Sequence, residues 1–193
     1  MKKRSKLLVV MTILLTITLL VTGCGKKATQ PPENPDQQGG EEDQTYETLA
    51  TDIGEFTTTD LEGNEVTNEI FKDKDVTLVF LWGTGWPSCI QEFPELVKLE
   101  AELPENAGIV GILTDVKNVD SAKKVVEETG FASKNILFND AIYKSYEKVQ
   151  YIPYTLFVDS EGKVVGKDLT GKKDLKTLKE ALDIALKATE KDE

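Results

Sequence analysis

A cysteine at the start of a helix is the side chain with the clearest capacity for covalent chemistry in this sequence. Cys89 ends the segment Trp86-Pro87-Ser88-Cys89, which closely follows a continuous apolar run at 76–82. Such a β-branched and aromatic run is typical of a strand buried on both faces, and Pro87 suits the first turn of a helix, where its missing N–H costs nothing. Unpaired N–H groups at a helix N-terminus favour negative charge, so a reactive thiolate would be placed here.

This segment resembles the active-site motif of the extracytoplasmic thioredoxin-like reductases of the TlpA and ResA type, in the broader group of AhpC/TSA-type redoxins. Their pattern W-A-x-W-C-P-x-C-x-x-E-x-P is matched here by Trp82, Pro87, Cys89, Glu92 and Pro94. The likeness spans roughly residues 46 to 190. It implies an α/β, thioredoxin-like fold with a central mixed β-sheet flanked by helices, an N-terminal β-hairpin and a TlpA-type insertion. It also implies the activity of a thiol-disulfide oxidoreductase.

One position departs from the family pattern, because Trp86 stands where the family has its attacking cysteine. Either Trp86 replaces the nucleophile, with Gly85 in place of the family tryptophan, or Trp86 is that tryptophan moved by one residue and the cysteine is deleted. In both alignments Cys89 falls on the family's resolving position, so the C-x-x-C motif is degenerate, W-x-x-C. Since dithiol exchange needs a second thiol to release the mixed disulfide, we expect reduced or lost dithiol turnover.

Cys89 is itself expected to be a poor nucleophile. Burial raises the pKa of a thiol while a helix N-terminus lowers it, residues 82–95 contain no lysine or arginine, and the charges of Glu92 and Glu95 oppose a thiolate. The resemblance implies that Glu92 assists proton movement near the turn. The residues alone favour the simpler interpretation, in which Glu92 is a carboxylate on the exposed face of the helix.

A second stretch, residues 151–159, resembles the family's V-P-x-T-F-L-I-D segment. The resemblance implies a cis bond before Pro153, beside the active-site turn, which would free the backbone of Ile152 to pair with an extended peptide. Trp86 either contacts a peptide or apolar ligand there or merely plugs a dead site. The predicted substrate groove comprises Trp82, Pro87, Ile152 and Pro153.

The residues leave several functions open. A redox protein could retain some activity through Cys89, perhaps with a partner thiol, whereas a catalytically silent module would bind peptides or partners in the groove of Trp86 and Pro153. A single-cysteine peroxidase is the weakest alternative, because the only arginine is Arg4. If codon 86 is an opal stop rendered as tryptophan in conceptual translation, the site would be a U-x-x-C selenoprotein.

Composition narrows the chemistry further. The 193 residues, 39% of them hydrophobic, suit one main domain, and the absence of histidine excludes Ser-His-Asp and Cys-His catalysis and histidine-ligated zinc. We expect no cofactor and no metal. A net charge of −11 argues against nucleic acid as a partner. The expected partners are extracytoplasmic protein thiols or disulfides, or extended peptides.

The N-terminus carries an export signal. Residues 1–23 combine a basic start with an apolar stretch shorter than the ~20 residues of a membrane span, which predicts a lipoprotein signal peptide rather than an uncleaved helix. The letters V-T-G-C ending at Cys24 resemble the bacterial lipobox, which implies that Cys24 is lipidated and anchors the chain on the extracytoplasmic face of the cell membrane. The polar composition of residues 24–45 predicts a flexible tether. Residues 46–190 are expected to form the thioredoxin-like domain.

Periodicity predicts the elements that would position the site. In chain order we expect a hairpin at 56–67, a strand at 76–82, a helix at 87–103 kinked at Pro94, a strand at 108–115, a helix at 119–129 capped by Gly130, a strand at 136–139, a helix at 140–149, a strand at 151–159, an edge strand at 164–166 and a final helix at 174–188.

Overall fold

A mixed five-stranded sheet forms the centre of the protein in the computed structural model, which describes residues 48–190. A separate two-stranded hairpin precedes it, and helices cover both faces. The elements are β1 (Thr57–Thr59), β2 (Glu65–Thr67), a 3₁₀ turn (Asn68–Phe71), β3 (Val76–Trp82), α1 (Pro87–Ile90), α2 (Phe93–Glu100), β4 (Ala107–Leu113), α3 (Val119–Thr129), β5 (Asn135–Leu137), α4 (Asp140–Tyr143), a 3₁₀ turn (Lys144–Tyr146), β6 (Tyr154–Val158), β7 (Leu169–Thr170) and α5 (Leu175–Thr189).

The strand order in the main sheet is β5-β4-β3-β6-β7. β3 pairs in parallel with β4, and β4 with β5, whereas β6 runs antiparallel to both β3 and β7. β1 and β2 form the predicted antiparallel hairpin, which contacts β5 through an isolated bridge between Asp60 and Ile136 and through a hydrogen bond from the Thr58 hydroxyl to the carbonyl of Leu137. The mixed sheet with helices on both faces is the expected architecture.

The central strand β3 is buried along its whole length, as its continuous apolar pattern predicts. Alternate side chains enter two separate cores, because successive residues of a strand point to opposite faces. The even-numbered residues of β3 pack with α2 and α5: Val76, Leu78, Phe80 and Trp82. Val79 and Leu81 pack on the other face with the N-terminal segment and α4. The strand therefore ends at Trp82 in a fixed position between two packed layers.

The predicted helix at 87–103 is wrong in its length and continuity. It is two helices, α1 and α2, separated by a turn at Gln91 and Glu92. Pro94 lacks the N–H that would donate to the carbonyl of Ile90, so the regular hydrogen-bond ladder fails at the junction. The second helix ends at Glu100, three residues short of the predicted end.

Two further predictions differ from the structure. The predicted edge strand at 164–166 is a single bridge between Val164 and Val158, and the chain turns at Gly166, which has a positive φ of 69° and where a Cβ would lie 3.1 Å from the Cα of Ala185 in α5. The predicted helix at 140–149 stops early and continues as a 3₁₀ turn. The carbonyl of Ser145 accepts the N–H of Thr51, at 2.9 Å, instead of continuing the helix.

Other predicted elements match closely. Helix α3 spans the predicted residues, and Gly130 ends it with a positive φ of 74°, the usual C-terminal cap. Within residues 48–190, no helix combines the length and apolar character that crossing a bilayer requires. The predicted signal peptide, Cys24 and the tether lie outside the described residues.

Candidate functional site

The turn between β3 and α1 is held by a carboxylate at the end of the neighbouring strand. Asp115, two residues beyond β4, accepts the backbone N–H of Thr84 on both oxygens, each at 3.1 Å, and also accepts the Thr84 hydroxyl. Asn118 donates to it at 3.0 Å. Burial alone would raise the pKa of Asp115, but the hydrogen bonds from Thr84 and Asn118 outweigh it and lower that pKa. Asp115 thus fixes the turn that carries Trp86.

Sequence reasoning did not assign a role to Asp115. It sits where the parallel strands β3 and β4 end at the same edge of the sheet, which is the usual position of functional side chains in such sheets. An acid directly after a buried parallel strand was therefore the available signal.

Trp86 is the N-cap residue of α1, and its carbonyl accepts the N–H of Cys89 at 3.0 Å. Its indole folds back over the turn. A Cβ on Gly83 would lie 2.6 Å from two carbon atoms of the indole ring and 3.0 Å from Oγ1 of Thr114. The absence of a side chain at Gly83 is thus what allows the indole to lie in this position, where 44% of the residue remains exposed.

We expect Gly83→Ala to displace the Trp86 indole, because the new Cβ would lie 2.6 Å from two indole carbons, which is too short for a non-bonded carbon–carbon contact. The expected cost is about 1–3 kcal/mol of unfolding free energy, typical of overpacking. A red shift of tryptophan emission should accompany it. Gly85→Ala is the matched control in the same turn, since a Cβ there would meet nothing within 4 Å. Equal stability and spectra for the two variants would contradict this placement of the indole.

Cys89 lies in the first turn of α1 and is fully buried, with a free thiol. Burial raises its pKa to about 11. A backbone hydrogen bond from Gly83 lowers that value in part, and the charges of Glu92 and Asp115 raise it. At pH 7 a thiol with this pKa is ionised in about one molecule in 10⁴. The structure therefore encloses Cys89 in the first turn of α1.

Native Cys89 should react with iodoacetamide about 100-fold more slowly than an ordinary exposed thiol. Its pKa is raised by two pH units from the usual 9.0, and the thiolate is the reactive form. Burial should slow the reaction further. Mass-spectrometric mapping of the Cys89 peptide during a time course measures this rate, and unfolding in guanidinium should restore ordinary reactivity. Rapid labelling of the native chain would show that the thiol is accessible.

The prediction that Glu92 is a surface carboxylate is wrong, because the residue is completely buried. Within the part of the chain described, neither side-chain oxygen has a hydrogen-bond partner. Burial raises the pKa of Glu92 to about 7, and the nearby backbone and charge of Lys173, with the charge of Lys172, lower it only in part. Glu92 is therefore a carboxyl group that can gain or lose a proton near neutral pH beside Cys89.

Trp82 forms a platform beneath the turn rather than a wall of the predicted groove. It is fully buried, its Nε1–H donates to Oδ1 of Asn135 at 2.9 Å, and its ring packs edge-on against Phe93 with centroids 4.7 Å apart. Gly111 leaves room for that amide, since a Cβ there would lie 2.0 Å from Asn135 Oδ1. Pro153 is also buried, so the side chains of Trp82 and Pro153 do not line an open groove, in contrast to our prediction.

An open, mainly apolar cavity of about 340 Å³ lies beside Trp86. Three of the five large hydrophobic residues exposed in residues 48–190 border it: Trp86 (44% exposed), Tyr143 (51%) and Tyr151 (70%). None of its lining residues is charged. The lining consists of Leu81, Trp86, Thr114, Phe138, Tyr143, Tyr146, Val149, Gln150, Tyr151 and Ile152.

Sequence reasoning found only two members of this cavity wall, Trp86 and Ile152. It gave Tyr143 only a place in the predicted helix at 140–149 and Tyr151 only a place in the predicted strand at 151–159. In the structure α4 ends at Tyr143 and β6 begins only at Tyr154, and both tyrosines are exposed.

Ile152 connects this cavity to the sheet. The Ile152–Pro153 bond is cis, as the resemblance implies. Regular pairing with β3 begins only at Tyr154, and the carbonyl of Pro153 accepts the N–H of Gly171 at 2.8 Å. Within residues 48–190, the N–H and carbonyl of Ile152 form no hydrogen bond with another backbone group. Pro87, the remaining residue of the predicted groove, is exposed and directly follows Trp86 as the first residue of α1.

The described residues contain no group of three or more His, Cys, Asp or Glu side chains placed to hold a metal ion. The chemistry that the arrangement supports is thus limited to the shielded thiol of Cys89, the buried carboxyl of Glu92 and contacts with the apolar cavity.

Comparisons with known proteins agree on one family. The profile of the Redoxin family matches residues 48–182. The thiol-disulfide oxidoreductases ResA of Bacillus thuringiensis subsp. konkukian and Bacillus cereus are each 31% identical over 133 residues, covering 66% of this chain and 72% of theirs.

Solved structures share the fold. The thioredoxin domain of a thiol-disulfide oxidoreductase from Bacteroides vulgatus has 26% identity and a TM-score of 0.55, covering 70% of this chain and 98% of that one. A thiol:disulfide interchange protein from Chlorobium tepidum has a TM-score of 0.61 at 18% identity, covering 71% and 97%. The predicted thioredoxin-like α/β fold is confirmed.

Proposed function

This chain belongs to the Redoxin family, among the thioredoxin-like thiol-disulfide oxidoreductases, and we propose that it is a member without dithiol turnover that binds extended protein segments outside the cytoplasm. The observation that carries the proposal is the state of Cys89, which is the only cysteine of residues 48–190 and is fully buried. Disulfide exchange needs an attacking thiolate and a second thiol that releases the mixed disulfide. An indole occupies the position where a C-x-x-C pair would have its first sulfur.

The redox part of this proposal is tested by insulin reduction with a dithiol as the electron source. The full-length chain and its Cys89→Ser variant should give the same rate as the dithiol alone. Turnover that exceeds the background and disappears in Cys89→Ser would overturn the proposal. The mass of the peptide containing residue 86 should be measured on the same sample, because selenocysteine at that position would supply the missing nucleophile.

Binding is favoured by a second observation at the same site. Trp86 is exposed and lines the same cavity as the half-buried Ile152, whose N–H and carbonyl form no backbone hydrogen bond within residues 48–190. Main-chain pairing of this kind gives affinity for extended peptides without chemistry. A peptide-binding function without catalysis therefore uses the side chain of Trp86 and the backbone of Ile152, whereas a redox function would need the thiol of Cys89, which is buried.

The membrane location rests on the N-terminal sequence. Residues 1–23 and Cys24 have the pattern of a lipoprotein signal, and lipidation of Cys24 would tether the domain to the extracytoplasmic face of the membrane. In bacteria expressing the full chain, the parent protein should be labelled by a fatty-acid probe, and Cys24→Ser should abolish the label and leave an unprocessed precursor that retains residues 1–23. A parent protein that stays in membranes without the label would favour an uncleaved helix.

A further inference from the structure

We propose that residues 48–53 form a releasable strap, which keeps helix α4 short while it is bound and lets that helix extend through Val149 when it detaches. The two arrangements differ in the group that donates to the carbonyl of Ser145. With the strap bound the donor is the N–H of Thr51. With the strap released it is the N–H of Val149, four residues further along the helix. This switch goes beyond the binding function and does not depend on the ligand bound.

Hydrogen bonds to distant parts of the chain hold the strap on the domain. Two consecutive N–H groups donate to a bonded pair of side chains, Leu49 to Oδ2 of Asp168 at 2.8 Å and Ala50 to the hydroxyl of Tyr154 at 3.0 Å. The Tyr154 hydroxyl itself donates to Asp168. Further hydrogen bonds join the strap to Ser145, Gly162 and Val164. Tertiary contacts thus attach the strap to the rest of the domain.

The strap is lightly packed. It belongs to no helix or strand, and only two of its side chains, those of Ala50 and Ile53, are buried. Segments with few buried apolar contacts and solvent-exposed backbone hydrogen bonds open locally at a lower free energy than the whole protein unfolds. The strap can therefore leave the domain while the five-stranded sheet stays folded.

Ser145 is the residue at which the strap and the helix compete. Its carbonyl accepts the N–H of Thr51 at 2.9 Å, and its hydroxyl donates to the carbonyl of Asp52 at 2.8 Å. In a continuous α-helix that carbonyl would accept the N–H of Val149. Val149 instead donates to the carbonyl of Tyr146, at 2.9 Å, in a tighter turn. Release of Thr51 would make the Ser145 carbonyl available to Val149.

The local sequence favours the longer helix. Residues 140–149 contain no glycine or proline and include alanine, lysine and glutamate, which are good helix formers. The helix also has an N-cap, because the side chain of Asn139 accepts the N–H groups of Ala141 and Ile142 at 3.1 and 3.0 Å. The early end of α4 is thus imposed by the strap against the local preference.

Extension of the helix would change the cavity beside Trp86. Tyr143, Tyr146 and Val149 all line that cavity. Successive residues are about 120° apart around a 3₁₀ axis and about 100° apart around an α-helix, so extension turns Tyr146 and Val149 relative to Tyr143. Within the described chain the buried hydroxyl of Tyr146 has no hydrogen-bond partner, so packing alone holds its ring.

The switch connects the cavity to the N-terminal part of the chain. In chain order the strap directly follows the region in which the sequence predicts a tether. An event that detaches the strap would therefore alter the cavity wall. By linkage, a ligand that favours one shape of the cavity must change the occupancy of the strap by the same factor.

Thr51→Pro in the full-length chain tests the switch, because proline has no N–H to donate to Ser145. The Cα chemical shifts of residues 144–149 should move to α-helical values, and the N–H groups of Ala50 and Ile53 should exchange with solvent at least about tenfold faster. Glu55→Pro is the matched control. Glu55 is exposed, and within residues 48–190 its N–H donates to no acceptor, so neither readout should change.

Ser145→Ala is a milder variant that keeps every backbone donor and should fold. It removes the hydroxyl bonded to Asp52 and adds the best helix former. The N–H groups of Ala50, Thr51 and Ile53 should exchange faster by one common factor, about threefold or more, and the Cα shifts of residues 144–149 should move part of the way. Ser133→Ala is its control, since the Ser133 hydroxyl bonds to Glu100, away from the strap, and should leave both readouts unchanged.

Three results would overturn the switch. Faster exchange in the strap with unchanged Cα shifts at residues 144–149 would mean that the strap does not end the helix. Different factors for Ala50, Thr51 and Ile53 in Ser145→Ala would mean that the strap does not detach as a unit. An equal acceleration throughout β3 and β4 would mean that the strap leaves only when the domain unfolds. If Thr51→Pro does not fold, Ser145→Ala decides among these results.

Discussion

Trp86→Cys is expected to give the chain measurable dithiol reductase activity. The new thiol would sit at the N-cap of α1, three residues before Cys89, where the N–H groups of a helix terminus stabilise a thiolate. Thiols in such positions commonly have a pKa near ~7, so about half would be ionised at neutral pH, against about one in 10⁴ for Cys89. We expect insulin reduction to rise clearly above the rate of the dithiol alone, which the parent chain should not exceed.

Two controls isolate the cause of that gain. Trp86→Ser removes the same indole without adding a sulfur and should remain inactive. Trp86→Cys combined with Cys89→Ser should form mixed disulfides with substrate but fail to release them, because the resolving thiol is gone. If Trp86→Cys is folded yet inactive and forms no bond between positions 86 and 89, the turn does not retain the geometry of a redox site.

Glu92→Gln should stabilise the protein above neutral pH by about 3 kcal/mol, which corresponds to the rise in the pKa of Glu92 from 4.5 to about 7. The folded state binds this proton more tightly than the unfolded state does. The wild-type chain therefore has its full stability below pH 4.5, loses it as the pH rises through about 7, and changes little from this group at higher pH. Glutamine does not titrate and so avoids the loss.

Thermal unfolding at pH 4.5, 6, 7 and 8 measures this effect. At pH 8 the melting temperature of Glu92→Gln should exceed that of the parent by on the order of 10 °C, and at pH 4.5 the two should nearly coincide because both then carry a neutral buried group. Glu128→Gln is the control, since Glu128 is an exposed carboxylate on α3 and its loss changes the net charge equally. Parallel stability profiles for the parent and Glu92→Gln would mean that the carboxyl is solvated.

The parts of the site that lie close together in the chain could be predicted from the sequence. The apolar run of β3, the turn and Pro87 are local signals, and together they placed Cys89 in the first helical turn. The cis bond at Pro153 is also local, and the resemblance implied it. These features depend on residue types at fixed spacing, which a sequence displays directly.

Glu92 shows what residue type alone conceals. A carboxylate is usually on the surface, and that general tendency led to the wrong prediction. The spacing held the better signal: in the continuous helix predicted over 87–103, the apolar residues Cys89 (i−3) and Leu96 (i+4) would lie on the same face as Glu92, and the structure buries all three. Periodicity should have outweighed polarity at this position.

The cavity could not be predicted, because contacts distant in sequence create it. The N–H of Thr51 and the carbonyl of Asp52 both bind Ser145, which ends the helical run after Tyr143. Only then do the exposed tyrosines and Trp86 border the same space. No local pattern around residue 143 encodes a partner near residue 51.

Cys89 stands alone among the described residues, sealed in the interior, so residues 48–190 hold no second sulfhydryl with which it could close a loop. The covalent connectivity of this region is consequently the same in an oxidising and in a reducing compartment. A protein with a second thiol at this helix terminus could form and break a disulfide there, whereas residues 48–190 of this chain contain no pair of cysteines to do so.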